Sequence, residues 1–121
     1  MTKEIIKTNP RLITLIQDLK KVSNENDAPI WKDIASRLQR PSKNWPVVNL
    51  DRINRYIKEK ETALIPGKVL SNGELTKKVS IAAWSFSEES EEKIKKAGGK
   101  HMSIEDLMKK NPKGENIRIL G

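Results

Sequence analysis

Leu12, Leu15, Ile16 and Leu19 recur at helical spacing and give the chain one apolar face from Pro10 to about Val22. Asn9 stands where its side chain can cap the first turn. Pro10 suits the first helical position, because its missing N–H would be unpaired there anyway. Lys20 and Lys21 fall near the far end, where the helix dipole favours cations. Ser23-Asn24-Glu25-Asn26-Asp27 reads as a polar linker. A second helix is predicted from about Ala28 to Gln39, with Pro29 in its first turn and Ile30, Ile34 and Leu38 on one stripe. Pro41 stops it. Lys32, Arg37 and Arg40 lie mostly off that stripe, and the two helices read as an antiparallel pair.

Val47-Val48 begins a short extended piece, and Asp51 is placed to cap a brief helix over 52–57, for which a strand is the alternative. From Thr62 the pattern turns to β. Ala63-Leu64-Ile65 and Lys68-Val69-Leu70 flank Pro66-Gly67, and Asn72-Gly73 is a turn signal. The run from Val79 to Phe86 is almost continuously apolar, as in a strand covered on both faces. Ser87 caps a third long helix, with Glu88 and Glu89 in its first turn, Lys93, Lys95 and Lys96 near its end, and Gly98 as its stop. His101-Met102 reads as a short strand. Ser103 caps a last helix, which Pro112 and Gly114 end, and Ile117 to Leu120 form a closing strand. The order is α-α followed by alternating β and α, which is a mixed α+β chain. At 121 residues it has room for one domain and one modest core.

Composition then narrows the class. The chain is 36% apolar and 33% charged, with a formal net charge of +8, so nucleic acid or an anionic surface is the natural partner. The charge is uneven: residues 1–60 hold 13 Lys/Arg against 7 Asp/Glu, and residues 61–121 hold 11 against 9. No segment approaches the apolar length a membrane span needs, and the first six residues are too few and too charged for a signal peptide. With no cysteine there are no disulfides or thiolate metal sites, which fits a reducing cytoplasm.

The stretch from Arg37 to Asn49 concentrates the candidate chemistry. It carries Arg37, Arg40 and Lys43 without an acid, between stiffening prolines 41 and 46. Guanidinium and ammonium groups pair with phosphate, Asn44 can hydrogen-bond, and Trp45 can stack on a base or sugar. The alternative for Trp45 is to tuck into the core. Lys7, Arg11, Lys32, Arg52 and Arg55 extend the basic set, and Lys68 is a further phosphate candidate, although Pro66-Gly67 could be a plain β-turn. Six phosphate contacts would weaken binding roughly a thousandfold between low and moderate salt.

No catalytic constellation emerges. His101 is the only histidine, and Glu88, Glu89, Glu91 and Glu92 read as a solvated helix start. Ile65-Pro66-Gly67-Lys68 lacks the spacing of a nucleotide-binding loop, and no catalytic residue, metal, cofactor or small-molecule substrate is expected. Two rivals remain. One is a DNA-binding regulator using the first two helices, although residues 23–27 look long for a tight turn. The other is an enzyme using Lys68 or His101.

Several stretches in order carry a resemblance: residues 7–12 (KTNPRL), 29–35 (PIWKDIA), 48–53 (VNLDRI), 65–70 (IPGKVL), 79–83 (VSIAA), 86–87 (FS), 97–99 (AGG) and 111–114 (NPKG). From about residue 7 to its end the chain resembles the archaeal and eukaryotic large-subunit ribosomal protein family L-eighteen-e, in its short archaeal form. The resemblance implies a structural, cytoplasmic component of the ribosome, bound to large-subunit ribosomal RNA and to neighbouring large-subunit proteins. It also implies a fold shared with bacterial ribosomal protein L-fifteen, an N-terminal helical pair packed on irregular β-β-α units with short strands. Residues 1–46 would then be the basic RNA-docking part and 47–121 the mixed core of a single domain. Position within these stretches adds Asn9 and Asn49 to the candidate RNA-binding residues.

Overall fold

The computed structural model describes residues 9–121. Helix α1 spans Pro10–Asn26, and Asn9 caps it as the sequence predicts, accepting the backbone N–H groups of Arg11 and Leu12. The expected linker is instead helical to Asn26. Its polar side chains turn back into the helix end: the buried Ser23 hydroxyl donates to the Ala28 carbonyl at 2.8 Å, and Asn26 donates to the Val22 carbonyl. Asp27, in the left-handed region at φ 50°, closes the helix. Helix α2, Pro29–Leu38, follows at once and packs on α1. Its buried stripe is Trp31, Ile34, Ala35 and Leu38, with Ile30 only half-buried. Trp31 is completely buried, and its indole N–H donates to the Pro112 carbonyl at 2.7 Å.

Five strands form one parallel sheet: β1 (Val47–Asn49), β2 (Thr62–Leu70), β3 (Ser80–Phe86), β4 (Lys100–Ser103) and β5 (Ile117–Ile119). The order is β1-β2-β3-β4. Strand β2 is the spine. One edge of it pairs with β3, while the other is shared, β5 covering residues 62–64 and β1 covering 68–70. Pro66-Gly67 is therefore not a turn. The strand runs through it, and the register against β3 shifts between Ile65 and Lys68. Proline supplies no ladder N–H, so a bulge is where a central strand can hold it.

Helices cover both faces, which is why the strands read as apolar runs. On one face α1, α2 and α5 (Ile104–Lys110) pack over Leu64 and Ala82. On the other, α3 (Leu50–Tyr56) and α4 (Glu88–Lys96) pack with Ala63, Ile65, Val69, Ile81 and Ala83. Each buried Leu or Ile in these layers contributes about 1.5–3 kcal/mol. Segment 52–56 is helical and Ile57 is already extended, while Asp51 sits inside α3; Asn49 takes the cap position without a side-chain cap bond. The crossover from β2 to β3, residues 71–79, contains no helix. It is strapped across α3, where the Asn54 side chain accepts from the backbone of Thr76 and Lys77, and Gly73, at φ 88°, passes directly against Asp51. Ser87 and Ser103 cap α4 and α5 as expected.

Candidate nucleic-acid interface

The segment after α2 is held at both ends. The Arg40 N–H returns to the Arg37 carbonyl, Pro41 ends the helical run, and Ser42–Asn44 makes one 3-10 turn. The Trp45 indole donates to the Arg40 carbonyl at 3.0 Å and meets Trp84 edge-on, with centroids 5.6 Å apart. At the exit, the Pro46 carbonyl accepts the Lys68 N–H at 3.1 Å and lies directly over Gly67. A methyl group at 67 would overlap that carbonyl oxygen. The bulge in β2 and the absent glycine side chain together create the seat for the loop.

This anchoring brings Arg37, Arg40, Asn44 and Trp45 around one hollow of about 280 Å³, closed by Pro46, Pro66 and Gly121. Arg37 is half-buried, and its Nε is 3.2 Å from Asp33 one turn earlier. Lys43 is exposed on the 3-10 turn and Lys32 on the outer side of α2. Lys68, exposed, stands opposite Val47 in the register, beside the loop. Arg52 and Arg55 are exposed on α3, in the layer on the other face of the sheet.

The remaining candidates have internal duties. Arg11 forms a two-pronged pair with Glu105, Nε to Oε2 at 2.8 Å and Nη2 to Oε1 at 3.0 Å. It also donates to the Trp84 carbonyl, and its guanidinium lies 3.8 Å over that indole ring. Burial raises the Glu105 pKa, but the Arg11 hydrogen bonds and charge, the residue's own backbone N–H and the Ser103 hydroxyl outweigh it and hold it below the ordinary glutamate value. The Asn9 side-chain oxygen serves the α1 cap, and that of Asn49 accepts the Asn72 N–H at 3.3 Å. Trp45 takes the inward alternative: its N–H is committed, and its ring packs against the α1/α2 core. Lys7 lies outside the described residues.

Two features were not anticipated. Pro66 and Gly121 complete the hollow, and no local pattern announces them. Tyr56 is exposed beside Arg55, whose guanidinium is 6.0 Å from its ring; the four-residue spacing from Arg52 was the available signal. His101 is exposed, with Nδ1 3.8 Å from Glu91 and its ring edge-on to Phe86. Among the described residues, no cluster of three or more His, Asp or Glu side chains could hold a metal, and no helix is long and apolar enough to cross a membrane.

The family model described as "Ribosomal protein 60S L18 and 50S L18e" matches residues 2–121. The chain belongs to that family. Among curated relatives named large ribosomal subunit protein eL18, the one from Methanoregula boonei is 52% identical over 120 residues, covering 99% of each chain. The one from Methanothermobacter thermautotrophicus is 46% identical with the same coverage. That of Archaeoglobus fulgidus is 47% identical over 114 residues, covering 94% of this chain and 97% of its own. The family match, running from residue 2 to 121, takes in the bulged strand and the closing strand as well as the loop.

Proposed function

We propose that the chain is a non-enzymatic structural constituent of the large ribosomal subunit, residing in the cytoplasm within the ribosome, that binds and stabilises folded large-subunit ribosomal RNA. Its membership in a ribosomal protein family supports the class. The observation that carries the mechanism is the anchored hollow of Arg37, Arg40 and Asn44, with Lys43 and Lys68 exposed beside it. Cations fixed in position before binding lose little freedom on meeting phosphate, and they lower the repulsion between RNA strands that the fold brings close. Segment 1–46 acts as the main docking part and 47–121 as the core that holds it, and Arg52 and Arg55 extend the contact around the β1 edge. Neighbouring large-subunit proteins are the further partners.

Because Trp45 is committed inward and the loop around it offers cations, recognition rests on RNA shape and backbone. The DNA-regulator reading draws no support from the family comparison, and the apolar stripes of both N-terminal helices are buried in the core. Filter binding to a large-subunit ribosomal RNA transcript over a salt series tests the proposal. A log–log slope of several units is expected. A slope near zero, or failure of the chain to sediment with the large subunit in a sucrose gradient, would overturn it.

A further inference from the structure

Among the described residues, strand β4 forms the opposite edge of the sheet and pairs only with β3. There Lys100, His101 and Met102 from the strand and Asp106, Lys109 and Lys110 from α5 line a second hollow, of about 450 Å³. Asp106 is the one acid in its wall, and Glu91 stands 3.8 Å from the His101 ring nitrogen. The ammonium groups of Lys100, Lys109 and Lys110 hold no hydrogen bond or ion pair among the described residues. Helix-dipole compensation accounts for lysines in the last turn of α5, and protection of an exposed sheet edge accounts for Lys100. Neither requires the three to converge on one concavity.

We infer that this β4–α5 hollow is a second phosphate-backbone site, so that the chain joins two separate RNA segments across its sheet. The inference rests on the RNA-docking reading above and extends it. Three strand spacings of about 4.8 Å put β4 roughly 14 Å from β1, and Lys100, Lys109 and Lys110 are all exposed. The two sites therefore face different parts of a folded RNA. A protein partner would need an apolar anchor at the centre of its contact. The exposed large apolar side chains of the described residues, Ile13, Val47 and Tyr56, all lie elsewhere.

Hydroxyl-radical footprinting on the large-subunit ribosomal RNA transcript tests it, using the full chain and the variant K100Q/K109Q/K110Q. The variant is expected to lose protection of one RNA segment, keep the other, and give a salt slope shallower by about 2. The loop variant R37A/R40A/K43A should lose the complementary segment. Crosslinks from the wild-type lysines 100, 109 and 110 to RNA provide a readout independent of the variant's folding. A full footprint with an unchanged slope would overturn the second site. So would unchanged binding to the transcript with impaired incorporation into the subunit, because that assigns the lysines to an acidic protein neighbour. A wild-type chain with no footprint at all would instead remove the RNA reading itself.

Discussion

The start of α1 and the loop after α2 are both basic and both rest on a tryptophan, and the two tryptophans touch. Their fates differ. Arg11 has a carboxylate within reach, supplied by α5 from 94 residues away, and its five-donor fork is largely spent on Glu105 and the Trp84 carbonyl. The loop contains no acid; main-chain carbonyls and the Trp45 indole N–H anchor it, and Arg37 reaches back to Asp33 on its own helix. Positive charge near the amino terminus is thus of two kinds: one ties α1 to α5 and β3, the other is mounted on the outside. Counting lysines and arginines along a sequence merges them.

The largest expected effect comes from removing the mounted kind. R37A/R40A/K43A should lower affinity for the large-subunit ribosomal RNA transcript about a hundredfold at 0.1 M salt, with a slope shallower by 2–3, while circular dichroism reports an unchanged fold. Unfolding would place these residues with Arg11. Gly67→Ala comes next and leaves every charge in place. The methyl group pushes on the Pro46 carbonyl, so unfolding in urea should show a loss of about 1–3 kcal/mol. RNA binding should weaken with the slope preserved; full stability would show that the seat under the loop tolerates a side chain.

Arg11→Ala should cost about 1 kcal/mol at most, because the pair is part-exposed, and should leave the salt slope where it was. A slope shallower by one unit would show Arg11 on phosphate after all. The smallest effect is in pH. Glu105 is depressed in the folded chain, so its contribution is fully present above the unfolded glutamate pKa of about 4.3 and is lost as pH falls through the lower folded value. In thermal melts, Glu105→Gln should lower stability slightly in the neutral range, by about 1 kcal/mol at most, and flatten the acid limb, so that the two chains converge at low pH.

Helix starts, caps and the doubly covered strand were legible because each is written locally: Asn9, Ser87 and Ser103 bond within three residues of themselves. The extension of α1 to Asn26 was not. Ser, Asn and Asp ordinarily signal a loop, and only the position of Ala28 lets Ser23 close the helix. Pro66-Gly67 misled for a related reason. It is a turn signal in isolation, and a bulge once β3 and Pro46 lie on either side of it. At the site, residue types and the loop were readable, but the partners of Arg11, Trp45 and Asn49 come from distant segments.

The shared edge of β2 also sets a timetable. During synthesis its first residues have no neighbour on that side until 117–119 are made, roughly fifty residues and three to ten seconds later at ordinary elongation rates. Through that interval the nascent chain carries an open, aggregation-prone seam, and the final tether is also the step that shields it.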